Sequence, residues 1–386
     1  MRAFVAAVVG EFRQIARDWG AVLILVVALP LYAFFYPIPY TPEVLKEVPI
    51  AVVDLDQSEM SRRLARMLDA HELLHLAAAP ASVAEAEQLA RAGAVGGIVV
   101  VPEGFDRRIR RGEQATIVAY ADASYFLVYR QMLTGAMEAT GTLSAGIEIR
   151  RLQAQRVPVD AAMKARDPLP LVMRPLFNAA EGYGSYVVPA VLVLNLQQNL
   201  LVGIGLVRGT RRETAARAVG AAQSQRSNAF EALATLLGRT LVYFLLYLVH
   251  LVFYFGVVLR LFGFAQRGSA WPLFAFGTPF LLAVIFLALA VRSAFRTREM
   301  STQVLLFTSL PALFVAGFSW PVEAMPAWVV ALAKALPSTP AVAGFLRLSQ
   351  MGATLAQVRG EWLLLWALCG IYFLAAWAAE AREARG

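Results

Sequence analysis

Six long apolar runs constrain this chain more strongly than any other sequence feature. They cover residues 20–36, 183–207, 241–262, 273–291, 304–319 and 362–379. Each is close to the roughly 20 apolar residues that one helical crossing of a bilayer needs. The chain is 59% hydrophobic and 16% charged, whereas soluble domains are about 45–50% apolar and about 25% charged. The sequence therefore predicts an α-helical polytopic membrane protein with six transmembrane helices.

The net charge of +8 comes from the segments that flank these runs. Residues 41–180 carry 16 Lys and Arg against 17 Asp and Glu, and the rest of the chain carries 19 against 10. With the N-terminus placed inside, 14 of those 19 basic residues lie in inside segments and five lie in short outside loops. Cytoplasmic loops accumulate positive charge. We therefore expect both termini to be cytoplasmic, in a bacterial inner membrane, and the basicity does not indicate nucleic-acid binding.

This orientation divides the chain into five parts. They are a cytoplasmic interfacial amphipathic helix at 1–19, transmembrane helix 1 at 20–36, an extracytoplasmic domain at 37–180, transmembrane helices 2–6 at 181–379 and a cytoplasmic tail at 380–386. The fourth part includes a cytoplasmic segment at 208–239 and an external segment at 320–360. The apolar stretch of the external segment, from Trp328 to Leu336, is too short to span a bilayer. No small-residue cleavage site follows the first run, so we expect it to be an uncleaved anchor.

The first 19 residues carry a helical apolar stripe. It consists of Phe4, Val8, Phe12, Ile15 and Trp19, at spacings of four, four, three and four. This periodicity is typical of an amphipathic helix, and its position before an apolar run predicts a helix that lies on the membrane surface.

The extracytoplasmic domain alternates strand and helix signals. Strands are predicted at 49–54, 74–78, 97–101 and 116–121, with helices at 56–70, 82–92 and 124–155. Such alternation predicts an α/β domain, inserted between transmembrane helices 1 and 2. Asp54 and Asp56 form a close carboxylate pair, which we interpret as a strand end followed by a helix N-cap rather than as catalytic residues.

One motif favours a different class of protein. His71-Glu72-Leu-Leu-His75 matches the H-E-x-x-H pattern, in which two histidines on one helix face bind zinc and the glutamate activates a water molecule. The preceding helix is predicted to end near Ala70, so solvent-facing histidines at a helix end are favoured. A third ligand is also needed. The only other histidine, His250, lies in a predicted span, so a glutamate such as Glu85 or Glu87 would have to substitute for it. A membrane-anchored zinc metallopeptidase therefore remains the alternative.

The sequence lacks the motif of an ATPase. A P-loop requires G-K-[ST]. None of the chain's three lysines follows a glycine: Lys46 follows leucine, Lys164 follows methionine and Lys334 follows alanine. Its single cysteine, Cys369, excludes a disulfide or a cysteine-rich metal site within one chain. We predict no catalytic residue, no metal and no cofactor in this chain.

Polar side chains interrupt the second apolar run. Asn195, Gln198 and Asn199 fall on one face of a helix, with Gln197 opposite. Polar groups at membrane depth face other helices or a pathway, so this stripe is either a helix contact or a substrate contact. The segment 208–239 that follows is charged and compatible with a helix, as expected of a docking surface.

An ordered set of motifs resembles the permease subunits of type-2 ABC exporters. They include Val48-Pro-Ile-Ala-Val-Val-Asp-Leu-Asp56, Val101-Pro-Glu-Gly-Phe105, Tyr120-Ala-Asp-Ala-Ser124 and an external re-entrant motif formed by Gly317, Pro321, Met325, Pro326, Trp328, Pro337 and Pro340. The resemblance covers the whole chain, from the amphipathic helix to the last span.

The resemblance implies a dimer, of identical or homologous permeases, with each copy docked on a cytoplasmic ABC ATPase that holds ATP and magnesium. The coupling element would fall on Arg208, Thr210, Arg211, Arg212 and Glu213, although the proline that usually follows such a stretch is missing here. Asn195, Gln198 and Asn199 would line the substrate pathway, and membrane lipids would surround the spans. The external domain resembles that of a subgroup that exports drugs, lipids or other amphiphiles, often alongside a periplasmic adaptor. A non-transporting protein with the same fold is a further alternative.

Overall fold

The computed structural model describes residues 1–167, 169–171, 173–217, 229–291 and 298–383, with the backbone alone at 211–217, 298–299, 301–302 and 383. The chain divides into two compact units. The helical unit consists of Met1–Glu43 and Pro175–Gly386, and the α/β domain consists of Val44–Arg174. Among the described residues, five helices are long and apolar enough to cross a bilayer, or six if a bent helix pair counts as one span. The chain is thus a mostly helical, multi-pass membrane protein.

The helical unit begins with three helices and a π-helical turn. Their bounds are α1 (Arg2–Arg17), α2 (Trp19–Val22), the π turn (Leu23–Val27) and α3 (Ala28–Phe35). Asp18 separates α1 from α2, and its carboxylate accepts hydrogen bonds from the first N–H groups of α2. Pro30 has no N–H that could donate a hydrogen bond to the carbonyl of Val26. Val26 lies within the π turn, which is wider than an α-helical turn. The segment forms the candidate span Trp19–Tyr40.

Only part of the predicted stripe on α1 is available to a membrane surface. Phe12 and Trp19 are 65% and 74% exposed, but Ile15 is buried against the other helices. The face of α1 that contacts protein is therefore rotated relative to the stripe, and it also includes Glu11, which is 3% exposed.

The α/β domain contains a four-stranded sheet with helices on both faces. Its elements are β1 (Val48–Asp54), α4 (Glu59–Asp69), β2 (Leu74–Ala78), α5 (Val83–Arg91), β3 (Gly97–Val101), α6 (Phe105–Arg110), β4 (Val118–Ala121), α7 (Phe126–Ala154) and α8 (Val159–Arg166). The strand order is β2-β1-β3-β4. β1 pairs in parallel with β2 and β3, and β4 is antiparallel to β3. The four predicted strands are confirmed, although β4 starts two residues later than expected.

Alternating side chains of the strands give this domain two small cores. On one face, the strands pack against α4 and α7 through residues that include Ile50, Val99, Leu64 and Met132. On the other face they pack against α5 around Ala86. The long helix α7 passes very close to the sheet, because a Cβ at Gly135 would lie 2.7 Å from the Leu74 side chain.

The loop after β1 corrects one local prediction. Ser58, rather than Asp56, is the N-cap of α4, and its hydroxyl accepts a hydrogen bond from the Ser61 N–H. The Asp56 carboxylate instead accepts hydrogen bonds from the N–H groups of Phe105 and Asp106, both at 3.0 Å. Asp56 therefore caps α6, which starts about 50 residues further along the chain. The interpretation of Asp54 and Asp56 as structural residues holds, but Asp56 serves a different helix.

In the described ranges after residue 175, the helical unit contains nine further helices. Their bounds are α9 (Tyr183–Arg217), α10 (Ala229–Val252), α11 (Leu259–Leu261), α12 (Ala270–Val291), α13 (Arg298–Phe307), α14 (Ser309–Val315), α15 (Ala327–Lys334), α16 (Ser338–Ser349) and α17 (Arg359–Glu383), with a second π turn at Phe253–Val258. Phe345 lies near the centre of this bundle. Its ring centroid is 4.6 Å from that of Phe255 and 5.1 Å from that of Phe276.

The run 304–319, predicted as one span, forms a shorter and broken helix. This run forms only a short apolar helix, Gln303–Val315, which is interrupted at Thr308. Pro311 has no N–H for the carbonyl of Phe307, so the helical hydrogen bonds are broken there. At about 1.5 Å per residue, α13 and α14 are each too short to cross a bilayer.

A further candidate span is the pair α15 and α16, which meet at an angle of 83°. Pro326 and Pro337 are the N-caps of these two helices. Such a pair is either a broken span or a re-entrant loop. The expectation that residues after Trp328 are too short to span by themselves agrees with α15, which has eight residues.

The segment 208–239 is largely helical where it is described. α9 continues to Arg217 and α10 already begins at Ala229, while residues 218–228 lie outside the described part of the chain. Arg239, the last residue of the predicted cytoplasmic segment, lies within α10, and its side chain is 12% exposed.

Candidate coupling site and transport pathway

Helix α1 packs tightly across α10. A Cβ at Gly238 would lie 2.7 Å from the Phe4 carbonyl oxygen and 2.9 Å from the Ala7 Cβ. A larger residue at position 238 would therefore force the two helices apart. Along α1 and at its end, three polar side chains, Glu11, Gln14 and Asp18, lie against neighbouring helices.

Glu11 belongs to a buried charged cluster. Arg239 on α10 lies between two carboxylates, 3.3 Å from Glu11 and 2.8 Å from Glu380 on α17. The Tyr243 hydroxyl donates a 2.7 Å hydrogen bond to Glu11. Glu11 and Glu380 are 3% and 7% exposed. The cluster thus joins α1, α10 and α17 through charge-assisted hydrogen bonds, which are stronger than neutral ones.

Gln14 and Asp18 connect α1 to α9. The Gln14 amide donates to the Val207 carbonyl at 2.9 Å, and the Thr210 hydroxyl donates to the Asp18 carboxylate at 2.6 Å. Thr210 is one of the residues predicted to couple the protein to an ATPase. Its contact with Asp18 places the start of that predicted element directly against the N-terminal helices.

The other predicted coupling residues also belong to α9. Arg208 is half-buried. Arg211, Arg212 and Glu213 continue the same helix, but their side chains lie outside the described part of the structure. Among these residues, the Thr210 hydroxyl contacts Asp18, and the role of the segment in coupling to an ATPase stays a prediction.

The predicted polar stripe of α9 lies on one half-buried face. The Asn195 side-chain oxygen accepts a 2.7 Å hydrogen bond from the Tyr254 hydroxyl. Gln198 donates to the Leu305 carbonyl, and Asn199 donates to the carbonyl of Asn195 one turn earlier. Asn195 and Gln198 thus join α9 to neighbouring elements, Asn199 bonds within α9, and all three side chains remain partly accessible.

Gln197, on the opposite face of α9, is buried and holds the bent helix pair. Its side-chain oxygen accepts a 2.8 Å hydrogen bond from the Ser338 N–H, and its amide donates to the Ser338 hydroxyl at 2.9 Å. Because the first N–H groups of a helix have no partner within it, Gln197 acts as a cap for α16 supplied by another helix.

One face of α10 and of the π turn that follows it carries a row of largely buried polar side chains. Arg239, Tyr243, Tyr247, His250 and Tyr254 follow one another at intervals of four, four, three and four residues. Here, His250 contacts the Leu25 carbonyl at 3.0 Å, and the Tyr254 hydroxyl contacts the Leu29 carbonyl at 2.9 Å. The Tyr247 hydroxyl has no hydrogen-bond partner among the described residues. The row fastens α10 to the first candidate span.

The residues of the predicted re-entrant motif are spread around the bent pair. Gly317 has φ +87, a conformation that favours glycine. Pro321 caps the short 3-10 helix Val322–Ala324, and Met325 follows that helix. Trp328 is 68% exposed, whereas Pro340 is buried within α16. The Phe318 carbonyl accepts a hydrogen bond from the Tyr186 hydroxyl, so the motif is attached to the start of α9.

The H-E-x-x-H motif does not form a zinc site. α4 ends at Asp69, His75 lies in β2, and the motif is not helical. His71 contacts Glu138 at 2.9 Å, and Glu72 contacts Lys46 at 2.9 Å. Within the described part of the chain, no three potential metal ligands cluster. The metallopeptidase alternative is not supported.

Sequence reasoning missed Glu11 and Glu380 as site residues. Glu11 stands between Val8 and Ile15 at helical spacing, so an acidic residue on the inward face was visible in the sequence. Glu380 was assigned to a terminal tail, and no local pattern indicates that Arg239 would contact it. In the structure, α17 continues through Glu380 to Glu383.

Comparison with known proteins identifies the family of this chain. A family model described as ABC-2 family transporter protein matches residues 19–378. A comparison with curated proteins gives no match. Members of the matched family are membrane subunits of ABC transporters, and such a subunit works with a partner ATPase. Since the match covers nearly the whole chain, this protein belongs to the ABC-2 transporter family, as a multi-pass membrane permease.

Proposed function

We propose that this chain is the permease of an ATP-driven exporter that moves a drug-like, lipid or other amphiphilic substrate out of the cytoplasm or the inner leaflet. The observation that carries the proposal is the Thr210–Asp18 contact, because it joins the predicted ATPase-coupling segment to the N-terminal helices of an ABC-2 family chain. The chain lies in a bacterial inner membrane with both termini in the cytoplasm and the α/β domain outside.

The partner is a cytoplasmic ABC ATPase, which holds the ATP and magnesium. It docks on the segment that contains Arg208, Thr210, Arg211, Arg212 and Glu213. A second permease copy or a homologue completes the pathway, and a periplasmic adaptor joins the α/β domain. Membrane lipids surround the spans, and nucleic acid has no part in this function.

Coupling requires that substrate and nucleotide each bind two conformations with different affinity. Movement of the end of α9 would act on α1 through Asp18 and Gln14. From α1 it would reach α10 and α17 through the cluster of Glu11, Arg239 and Glu380. Buried ion pairs have restricted geometry, so this cluster favours movement of the three helices as one body.

The substrate pathway runs along the half-buried face of α9. Asn195, Gln198 and Asn199 are partly accessible there, and amides that exchange helix contacts for substrate contacts suit a site that must open and close. The bent pair held by Gln197 lies against the other face of α9.

Affinity purification from native membranes in mild detergent tests this proposal. We expect an ABC ATPase to co-purify at comparable stoichiometry. The triple variant Arg211→Ala, Arg212→Ala and Glu213→Ala should lose the ATPase. A matched control, Arg107→Ala with Arg108→Ala and Glu113→Ala in the α/β domain, should retain it. A chain that reproducibly purifies alone would contradict the proposal.

A further inference from the structure

The α/β domain contains a cleft of about 630 Å³. It lies between the edge strand β4, the end of α6 and the long helix α7. β4 is the last strand of the sheet and pairs only with β3. Because α7 crosses this edge without closing over it, the sheet and the helix leave an open space.

The walls of the cleft are mainly apolar. Ile109 and Ile117 lie on one side, and Leu133, Met137 and Ile147 of α7 lie on the other. Its floor includes Val99, Phe105 and Leu143, which also belong to the core of the domain. From Leu133 to Ile147 the wall follows α7 for about 21 Å at 1.5 Å per residue. The cleft is therefore an elongated extension of the hydrophobic core that remains open to solvent.

The mouth of the cleft carries charges of both signs. Glu113 and Glu148 supply carboxylates, and Arg151 supplies a guanidinium that lies 3.9 Å from Glu148. A Cβ at Gly112 would lie 3.5 Å from the Arg151 guanidinium, so Arg151 lies beside the turn that forms the rim. A weak, exposed pair such as Arg151–Glu148 is easily exchanged for contacts with a ligand.

We propose that this cleft binds a single-chain zwitterionic amphiphile. Its apolar chain lies along α7, its phosphate contacts Arg151, and its ammonium group contacts Glu113 and Glu148. Volume and lining both match small-molecule sites, which are clefts of about 300–1,000 Å³ with apolar walls and few polar groups. The two signs at the mouth favour a zwitterion over a purely anionic or cationic head group. This site is separate from the membrane pathway, and its binding is measurable without an ATPase.

Photolabelling of the full chain tests the proposal. The protein is placed in nanodiscs of phosphatidylglycerol alone, and the probe is lysophosphatidylethanolamine with a diazirine in its acyl chain. We expect saturable labelling that maps to residues 133–151 and that unlabelled lysophosphatidylethanolamine displaces. Lysophosphatidylglycerol should displace the probe at least about tenfold less effectively. Labelling without saturation, labelling confined to other segments, or equal displacement by both lipids would overturn the proposal.

Matched variants locate the site. Ser144→Trp, which places a bulky ring in the cleft, should weaken labelling at least about tenfold, or about 1.4 kcal/mol. Thr142→Trp, on an exposed position of α7 outside the cleft, should leave it unchanged. Arg151→Glu should weaken binding of the zwitterion, whereas Arg150→Glu should not, and these surface changes keep the test valid if Ser144→Trp fails to fold. Equal effects within either pair would contradict the site. Because no ATPase is present, failure here leaves the proposed export function untouched.

Discussion

The two units of the molecule use polar side chains in different ways. In the α/β domain, most polar contacts are local: Ser58 and Ser82 each cap a helix through an N–H only three residues away. In the helical unit, many contacts join distant residues: Glu11 and Tyr243 are 232 residues apart, and His250 and Leu25 are 225 apart. A membrane helix satisfies its own backbone, so its buried polar side chains are left to join one helix to another.

The largest loss of stability is expected when the distant contacts are broken. Arg239→Ala removes the guanidinium that Glu11 and Glu380 share, and loss of one partner of a buried ion pair costs about 3–5 kcal/mol. The free energy of unfolding in mixed micelles measures this. Arg260→Ala, at an exposed position of α11, is the control and should change it by less than about 1 kcal/mol. If buried charge is the cause, adding Glu11→Gln and Glu380→Gln to Arg239→Ala should recover part of the loss. Equal effects of Arg239→Ala and Arg260→Ala would contradict the role of the cluster.

A smaller effect is expected where the distant contact is neutral. Gln197→Leu leaves the Ser338 N–H and hydroxyl without their partner, and an unsatisfied buried group costs about 1–3 kcal/mol. The same unfolding measurement checks the loss. Adding Ser338→Ala should cost little more, because the Ser338 hydroxyl has already lost its hydrogen bond with Gln197. Additive losses in the double variant would show that the two side chains act independently.

The local contacts of the α/β domain should matter less and respond to pH. Burial raises the pKa of Asp56, but hydrogen bonds from Ser58 and from backbone N–H groups of α6 outweigh it and hold the pKa below its usual value. Asp56→Ala should lower the free energy of unfolding by about 0.5–2 kcal/mol at neutral pH. The ionised carboxylate stabilises the fold above its ordinary pKa of about 3.9, and this contribution is lost as the pH falls through the lowered value.

Unfolding of the full chain between pH 2 and 7, followed by a probe in the α/β domain, measures this dependence. The difference between the parent and Asp56→Ala should shrink below about pH 4. Asp56→Asn keeps a capping oxygen without titrating, so its stability should depend less on pH than that of the parent. A difference that stays constant down to pH 2 would show that the carboxylate charge contributes nothing.

The smallest effect is expected at Glu72, whose carboxylate pairs with the exposed Lys46 side chain. Glu72→Gln should leave stability and transport unchanged, because exposed ion pairs are screened by water and salt. Metal analysis of the purified protein should find no stoichiometric zinc. Bound zinc together with loss of function in Glu72→Gln would restore the peptidase interpretation.

The same contrast explains what could be predicted from the sequence. Strands such as Gly97–Val101 and the end of α4 follow from residues that are neighbours in the chain, and both were predicted correctly. Asp56 was assigned to the wrong helix because its partners lie 49 and 50 residues away. The contacts of Arg239 with Glu11 and Glu380 were not predicted, because these partners are even more distant along the chain. The interruption of the run 304–319 depends on Pro311, whose effect on an apolar helix depends on its surroundings.

The central claim is that the end of α9 couples this permease to an ATPase through α1. ATP hydrolysis and substrate transport, measured together in proteoliposomes that contain the permease and its co-purified ATPase, test it most directly. In Thr210→Val, which removes the hydroxyl that binds Asp18, we expect the complex to assemble but transport per ATP hydrolysed to fall about tenfold, corresponding to about 1.4 kcal/mol of coupling. The control Thr278→Val, whose hydroxyl bonds only within α12, should behave like the parent. Unchanged transport per ATP in Thr210→Val would contradict the claim.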